Sequence, residues 1–106
     1  ILGREKDLII SGGYNIYPKQ IETEIDALAG VIESAVFGIA DPDMGEAVAA
    51  AVVCERGAEL DETRVVEALK PNLARFKLPR KVFVVDELPR NAMGKVQKNV
   101  LRDTYG

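Results

Sequence analysis

Fourteen lysines and arginines stand against seventeen aspartates and glutamates in 106 residues, a formal charge of −3, with 47% apolar and 29% charged residues. That length is one ordinary domain with a globular balance, which argues against disorder and gives no electrostatic ground for nonspecific nucleic-acid binding. With no histidine and a single cysteine, Ser-His-Asp and Cys-His catalysis, histidine metal sites and internal disulfides are excluded.

The elements follow in chain order. Leu8-Ile9-Ile10 predicts a short strand, stopped by Ser11-Gly12-Gly13 ahead of Tyr14-Asn15-Ile16-Tyr17. Two glycines permit positive φ, so an antiparallel hairpin is expected. Pro18 suits the first turn of a helix, Ile21, Ile25 and Leu28 recur at helical spacing, and Gly30 is a natural stop. Val31 to Ala40 reads as a strand broken by Asp41-Pro42-Asp43. Ala47 to Cys54 is an almost continuous apolar run, expected to be covered on both faces, with Cys54 a small buried hydrophobe.

Asp61 suits an N-cap for a second helix with a Val66, Leu69, Leu73 stripe, which Pro71 should kink or split. Val82 to Val85 predicts a third core strand. Arg90 to Gly94 reads as a loop, and Val96 to Tyr105 as a terminal helix with Val100 and Leu101 facing the core. The expectation is one α+β domain over residues 1–106: a small mixed sheet of about three strands, about three helices and an N-terminal two-stranded hairpin. No apolar run is long enough for a bilayer span and no signal-peptide pattern opens the chain. A start at Ile1 rather than Met suggests a piece of something larger.

Several chemical patterns fail on spacing. Gly94-Lys95 would need a glycine where Pro89 stands and a Ser or Thr where Val96 stands to make a phosphate-binding loop. No GxGxxG occurs, and Asp41, Asp43 and Glu46 do not match a calcium loop, leaving a solvated turn. Glu22, Glu24 and Asp26 read as a wet helix face.

Two segments resist so plain a reading: Gly3-Arg4-Glu5-Lys6-Asp7 running on through Ser11-Gly12-Gly13-Tyr14-Asn15-Ile16-Tyr17-Pro18-Lys19-Gln20-Ile21-Glu22, and Leu88-Pro89-Arg90-Asn91-Ala92-Met93-Gly94-Lys95-Val96-Gln97-Lys98. Together they resemble the two signature motifs of the C-terminal domain of adenylate-forming enzymes, the acyl-CoA synthetases and their relatives. Asp41-Pro42-Asp43-Met44-Gly45-Glu46 is similar to that family's connecting turn, and Phe76-Lys77-Leu78-Pro79-Arg80 to its segment before the last strand. The four stand in the family's order across the whole chain. Within the family, Tyr14 to Lys19 and Pro89 to Asn99 look most like the malonyl-CoA synthetases.

The resemblance implies a mobile lid on a large N-terminal domain in a cytoplasmic acid–CoA ligase, with ATP, Mg2+ and CoA bound mainly by that other domain. It implies that Lys95 is the adenylation lysine, that Arg4 contacts the nucleotide, and that Lys6 is the hinge. Gly12, Gly13 and Tyr14 would face CoA, with Gly13 lining the pantetheine tunnel. Asn15 stands where other members carry an arginine, which leaves Tyr14 and Lys19 as candidate CoA phosphate contacts. Lys98 stands where many carry arginine. Acetylation by a protein lysine acetyltransferase would fall on Lys95 or Lys98 and, at Lys95, remove the charge adenylation needs. No metal ligand set is implied within this chain. The other readings open at this point are another acyl- or aryl-CoA synthetase, a carrier-protein-dependent adenylation domain, and an isolated module that serves an acetyltransferase.

Overall fold

A computed structural model describes residues 8–106; Arg4 and Lys6 lie outside the described residues. β1 (Ile9–Ser11) and β2 (Tyr14–Ile16) form the expected hairpin, Ile9 opposite Ile16 and Ser11 opposite Tyr14. Gly12 and Gly13 take φ of +57° and +87°, the two positive values of a type I′ turn, whose twist matches that of the strands it joins. α1 (Pro18–Asp26) begins at the proline and buries Ile21 and Ile25. It ends at Asp26, short of Gly30; that glycine, at φ +90°, instead turns the chain into β3.

β3 (Val31–Asp41) and β4 (Gly45–Cys54) pair antiparallel from Val31 opposite Cys54 to Asp41 opposite Gly45. α2 (Glu62–Leu69) is capped by Asp61, whose Oδ1 accepts the Arg64 N–H at 2.9 Å. It ends just ahead of Pro71, which lacks the N–H that would extend the ladder. Leu73 is buried but lies beyond the helix, and Val65 with Leu69 forms the helix's buried stripe. A 3-10 turn (Arg75–Lys77) leads to β5 (Lys81–Val85), and α3 (Lys98–Tyr105) closes the chain.

The sheet runs β2-β1-β4-β3, and β5 adds to β4 in parallel from Ala49 opposite Lys81 to Val53 opposite Val85. β1 meets β4 only at Ser11 opposite Gly45, so β1 and β5 share one edge of β4. This is the mixed sheet expected, with the hairpin built into it as two of its five strands. Alternation along β4 fills both faces: Val48, Ala50 and Val52 pack with α1 and α2, while Ala49, Ala51 and Val53 pack with Phe37, Leu88 and Leu101 on the α3 side. Burying both faces of β4 is why its sequence is almost unbroken Ala and Val.

One core expectation is refined and another corrected. β5 reaches the core from an edge: Val82 is buried and Phe83 and Val85 pack against the α3-side cluster, but Val84 is half exposed, and among the described residues β4 is its one strand partner. In α3, Leu101 is buried while Val100 is exposed, since consecutive helical residues point about 100° apart and only one can face the sheet.

Two of the sheet's edge strands, β3 and β5, are closed by carboxylates. Glu22 Oε2 accepts the outward N–H of Val36 on β3 at 2.8 Å, and Glu62 Oε2 accepts that of Val82 on β5 at 2.9 Å. Glu22 also pairs with Lys98 Nζ at 2.8 Å, the two side chains being only 17% and 15% exposed. The expected wet face is therefore wrong for Glu22. Asp26 is exposed, as expected, and accepts the Ser34 hydroxyl at 2.7 Å. The hydrophobic spacing of α1 says which residues face the core but not what an edge strand beside it needs.

Candidate functional site

Two outward-facing loops carry the residues singled out by sequence. In the first, Arg90 and Val96 form an antiparallel bridge, the Asn91 N–H donates to the Lys95 carbonyl at 3.0 Å, and the Gln97 N–H donates to the Pro89 carbonyl at 2.8 Å. The Gly94 N–H closes a turn onto the Asn91 carbonyl at 2.9 Å, with Gly94 at φ +82°. Asn91 fills the loop from inside: its Oδ1 accepts the N–H groups of Met93 at 2.9 Å and Lys95 at 3.0 Å. Such side-chain-to-backbone bonds make Asn a turn former. Arg90 braces the same loop, donating to the Gly94 carbonyl at 2.8 Å while pairing with Glu33 of β3. Lys95 itself is exposed, and its ammonium bonds to no described residue.

The second loop is the hairpin. The Gly12 N–H donates to the Met44 carbonyl at 2.8 Å, and the Ile10 N–H donates to Glu46 Oε1 at 2.8 Å. The Asp41–Glu46 turn, expected to be merely solvated, is thus the socket in which the hairpin sits. Asp41 holds that socket: Oδ1 accepts the N–H groups of Asp43 and Met44 at 2.9 Å, and Oδ2 pairs with Arg80 at 3.1 Å. The Met44 and Asp43 amides and then Arg80 hold its carboxyl below the usual range.

The two glycines do different work. A Cβ on Gly12 would lie 2.7 Å from Met44 Cε, so Gly12 allows close packing, whereas nothing lies within 4 Å of a Cβ built on Gly13, which faces open space. Tyr14 stacks on Phe76, ring centroids 4.2 Å apart, and Lys77 Nζ sits 5.6 Å from the Phe76 ring while donating to Gln20 at 2.8 Å.

Gly12, Gly13 and Tyr14 therefore share one surface, and Lys95 lies on another. Glu33, which anchors the lysine loop through Arg90, is opposite Val53, while Ser11 beside the glycines is opposite Gly45. From residue 45 to 53 is eight steps along β4, about 26 Å at about 3.3 Å per residue. Lys98 lies apart from both loops' open faces, its amine turned into the Glu22 pair. Cys54 is a half-buried thiol whose pKa burial pushes up, in keeping with an unreactive role. Sequence reasoning missed Arg90, Asn91, Glu33 and Glu22; only Asn91 left a local signal, an Asn-x-x-Gly turn.

The fold is that of a small α+β domain presenting two braced loops outward. The chain belongs to the AMP-binding enzyme C-terminal domain family, whose model matches residues 20–95. It is similar over 99% of its length to apo MatB from Rhodopseudomonas palustris, at 62% identity and a TM-score of 0.92, covering 21% of that chain. A 3-[(3aS,4S,7aS)-7a-methyl-1,5-dioxo-octahydro-1H-inden-4-yl]propanoyl:CoA ligase from Rhodococcus jostii is 52% identical over 97% of this chain and 20% of its own. The long-chain-fatty-acid–CoA ligase FadD13 of Mycobacterium tuberculosis is 48% identical over 99% of this chain and 21% of its own. The chain thus spans about a fifth of the length of the relatives it matches.

Proposed function

We propose that this chain is the mobile C-terminal domain of an ATP-dependent acid–CoA ligase, with Lys95 serving acyl-adenylate formation and the Gly12-Gly13 hairpin serving thioester formation. One observation carries the reading: the two loops are separately braced, from positions about 26 Å apart along β4, so a single reaction centre is taken to meet them in turn, not together. A domain that rotates on a larger partner answers that geometry.

The chemistry runs in two steps. A carboxylate oxygen of the acid attacks the α-phosphorus of MgATP, and the bond to pyrophosphate breaks. The sulfur of the CoA thiolate then attacks the acyl carbon, and AMP leaves with the bonding electrons. In the first step negative charge grows on the departing pyrophosphate, and the long, flexible ammonium of Lys95 lowers that barrier by lying beside it. In the second, Gly13 leaves space in which a narrow thiol-bearing arm can approach. MgATP, acid and CoA enter as substrates held mainly by the N-terminal domain, with Arg4 as a nucleotide contact and Lys6 as the hinge.

Malonate is the acid we favour, on the motif likeness to malonyl-CoA synthetases and the 62% identity to MatB. Relatives that are ligases for a fused-ring propanoate and for long-chain fatty acids, both near 50% identity, keep other acyl-CoA synthetases as the second reading. We assign the enzyme to the cytoplasm, in keeping with one unpaired cysteine; among the described residues no helix is long and apolar enough to cross a membrane.

The test is AMP release by the parent chain with malonate and CoA, against longer and aromatic acids and against a carrier protein as acceptor. Release that needs CoA and malonate supports the reading, and release with a carrier protein alone overturns the CoA assignment. Gly13→Leu in the same chain is expected to spare pyrophosphate release and to cut thioester formation at least tenfold. Since Gly13 sits at φ +87°, any side chain there strains the backbone, so Gly13→Ala is the control for strain without reach. Equal loss of both half-reactions in Gly13→Leu would count against the tunnel role.

Acetylation is expected on Lys95 rather than Lys98. Lys95 is exposed, whereas the Lys98 amine is paired with Glu22 and mostly covered. After incubation with a lysine acetyltransferase and acetyl-CoA, mass spectrometry should find the acetyl group on Lys95. An unmodified Lys95 would sink the idea.

A further inference from the structure

We infer that Arg90, seated on Glu33, is a positioning residue for Lys95. The inference rests on the adenylation role proposed for that lysine. Three features lead to it. The guanidinium donates to the carbonyl of Gly94, the residue whose peptide bond leads directly into Lys95, at 2.8 Å. Its other terminal nitrogen is paired with Glu33 on β3, a strand hydrogen-bonded along nearly its whole length to β4. Gly94 is the residue of that loop at positive φ, where the backbone is least restrained by its own side chain.

A planar fork can hold a carboxylate with one arm and a carbonyl with the other, which a single ammonium cannot do in the same geometry. Arg90 therefore transmits the position of the sheet to the one peptide that sets the direction of Lys95. Asn91 closes the loop from within, but its bonds are all internal to residues 91–95 and leave the loop free to tilt as a body. The Arg90 fork ties it to the rest of the domain. The Glu22–Lys98 pair anchors the chain again three residues after Lys95. A lysine that must meet charge developing on a substrate held by another domain gains from such a mount, because a misplacement of about 1 Å can cost about 100-fold in rate.

The experiment uses the full-length parent enzyme in three variants, Arg90→Ala, Arg90→Lys and Lys95→Ala. Adenylation is followed by acid-dependent pyrophosphate exchange, and thioester formation from supplied acyl-adenylate and CoA. Arg90→Ala is expected to lower kcat for adenylation about 10- to 100-fold, with KM for ATP and acid and the thioester rate within about twofold of the parent. Arg90→Lys should fall between the two. Independently of activity, deuterium exchange of the peptide spanning residues 90–96 should speed up in Arg90→Ala, while β3 and β4 peptides stay as protected as before. The inference is overturned if Arg90→Ala adenylates at the parent rate, if both half-reactions fall alike, or if exchange in 90–96 does not change. Lys95→Ala separates the two levels of argument. If it adenylates normally, the functional reading fails and this one with it; if it is inactive while Arg90→Ala is normal, only the positioning role fails.

Discussion

Lys95→Ala in the parent enzyme is expected to reduce acyl-adenylate formation by about 100- to 1,000-fold, the loss typical when one charge-stabilising donor is removed from a transition state. Substrate binding should change far less, because most of the ATP and acid contacts are assigned to the other domain. Stability should hardly move: Lys95 is exposed, its ammonium bonds to no described residue, and surface changes of this kind fall within about 0.5 kcal/mol. Thioester formation from added acyl-adenylate should persist, since in that orientation the glycine hairpin rather than the lysine loop is presented. Pyrophosphate exchange and CoA acylation measured side by side decide it. An equal fall in both would mean that the lysine shapes the domain, or its docking, instead of the first step. Lys95→Gln should behave like Lys95→Ala, because what matters is the positive charge and not the length of the chain; recovery in Lys95→Arg would point the same way.

The parts of this fold that were legible in sequence are those whose causes are local. Gly12-Gly13 can hardly be anything but a turn with two positive φ values, Asp61 caps the helix that follows it, and the Ala and Val run of β4 announces burial on both faces. The two loops that matter were also visible, because the residues that distinguish them lie side by side. What stayed hidden is long-range and polar. Glu22 meets Val36, Glu62 meets Val82, Glu46 meets Ile10 and Arg90 meets Glu33 across 14, 20, 36 and 57 residues of chain. A surface Glu in a helix has the same local pattern whether it faces water or an unpaired strand N–H. Only the sheet order, which places β3 and β5 among the edge strands, distinguishes the two cases. The edge status of β5 was hidden for the same reason: its Val-rich run reads as core until its single partner is known. The acidic turn at Asp41 shows the limit most plainly, since the composition that suggests solvent is also what a hairpin socket requires.

Glu22→Ala is expected to destabilise the 106-residue chain by about 2–4 kcal/mol, more than any surface charge removal should. Two losses combine. The Val36 N–H, which points off the edge of β3, loses a charged acceptor at 2.8 Å; hydrogen bonds to charged groups contribute about 1.5–3 kcal/mol. The Lys98 ammonium, 15% exposed, loses this one carboxylate from among its contacts. Glu22 lies on α1, on one face of the sheet, and Lys98 on α3, on the other, so the pair clasps the two layers around the edge of β3. Glu22→Gln keeps an acceptor for the amide but not the charge, and should cost about half as much. For a domain of this size each kcal/mol moves Tm by about 4–8 °C, so the alanine variant should melt on the order of 10–20 °C lower. Urea unfolding should show the loss as a lower midpoint at an unchanged slope, because the folded state buries the same apolar surface. A cost below about 0.5 kcal/mol would mean that water satisfies the edge as well as the carboxylate does. The clasp would then hold the α3 start, and with it the lysine loop, without contributing to stability.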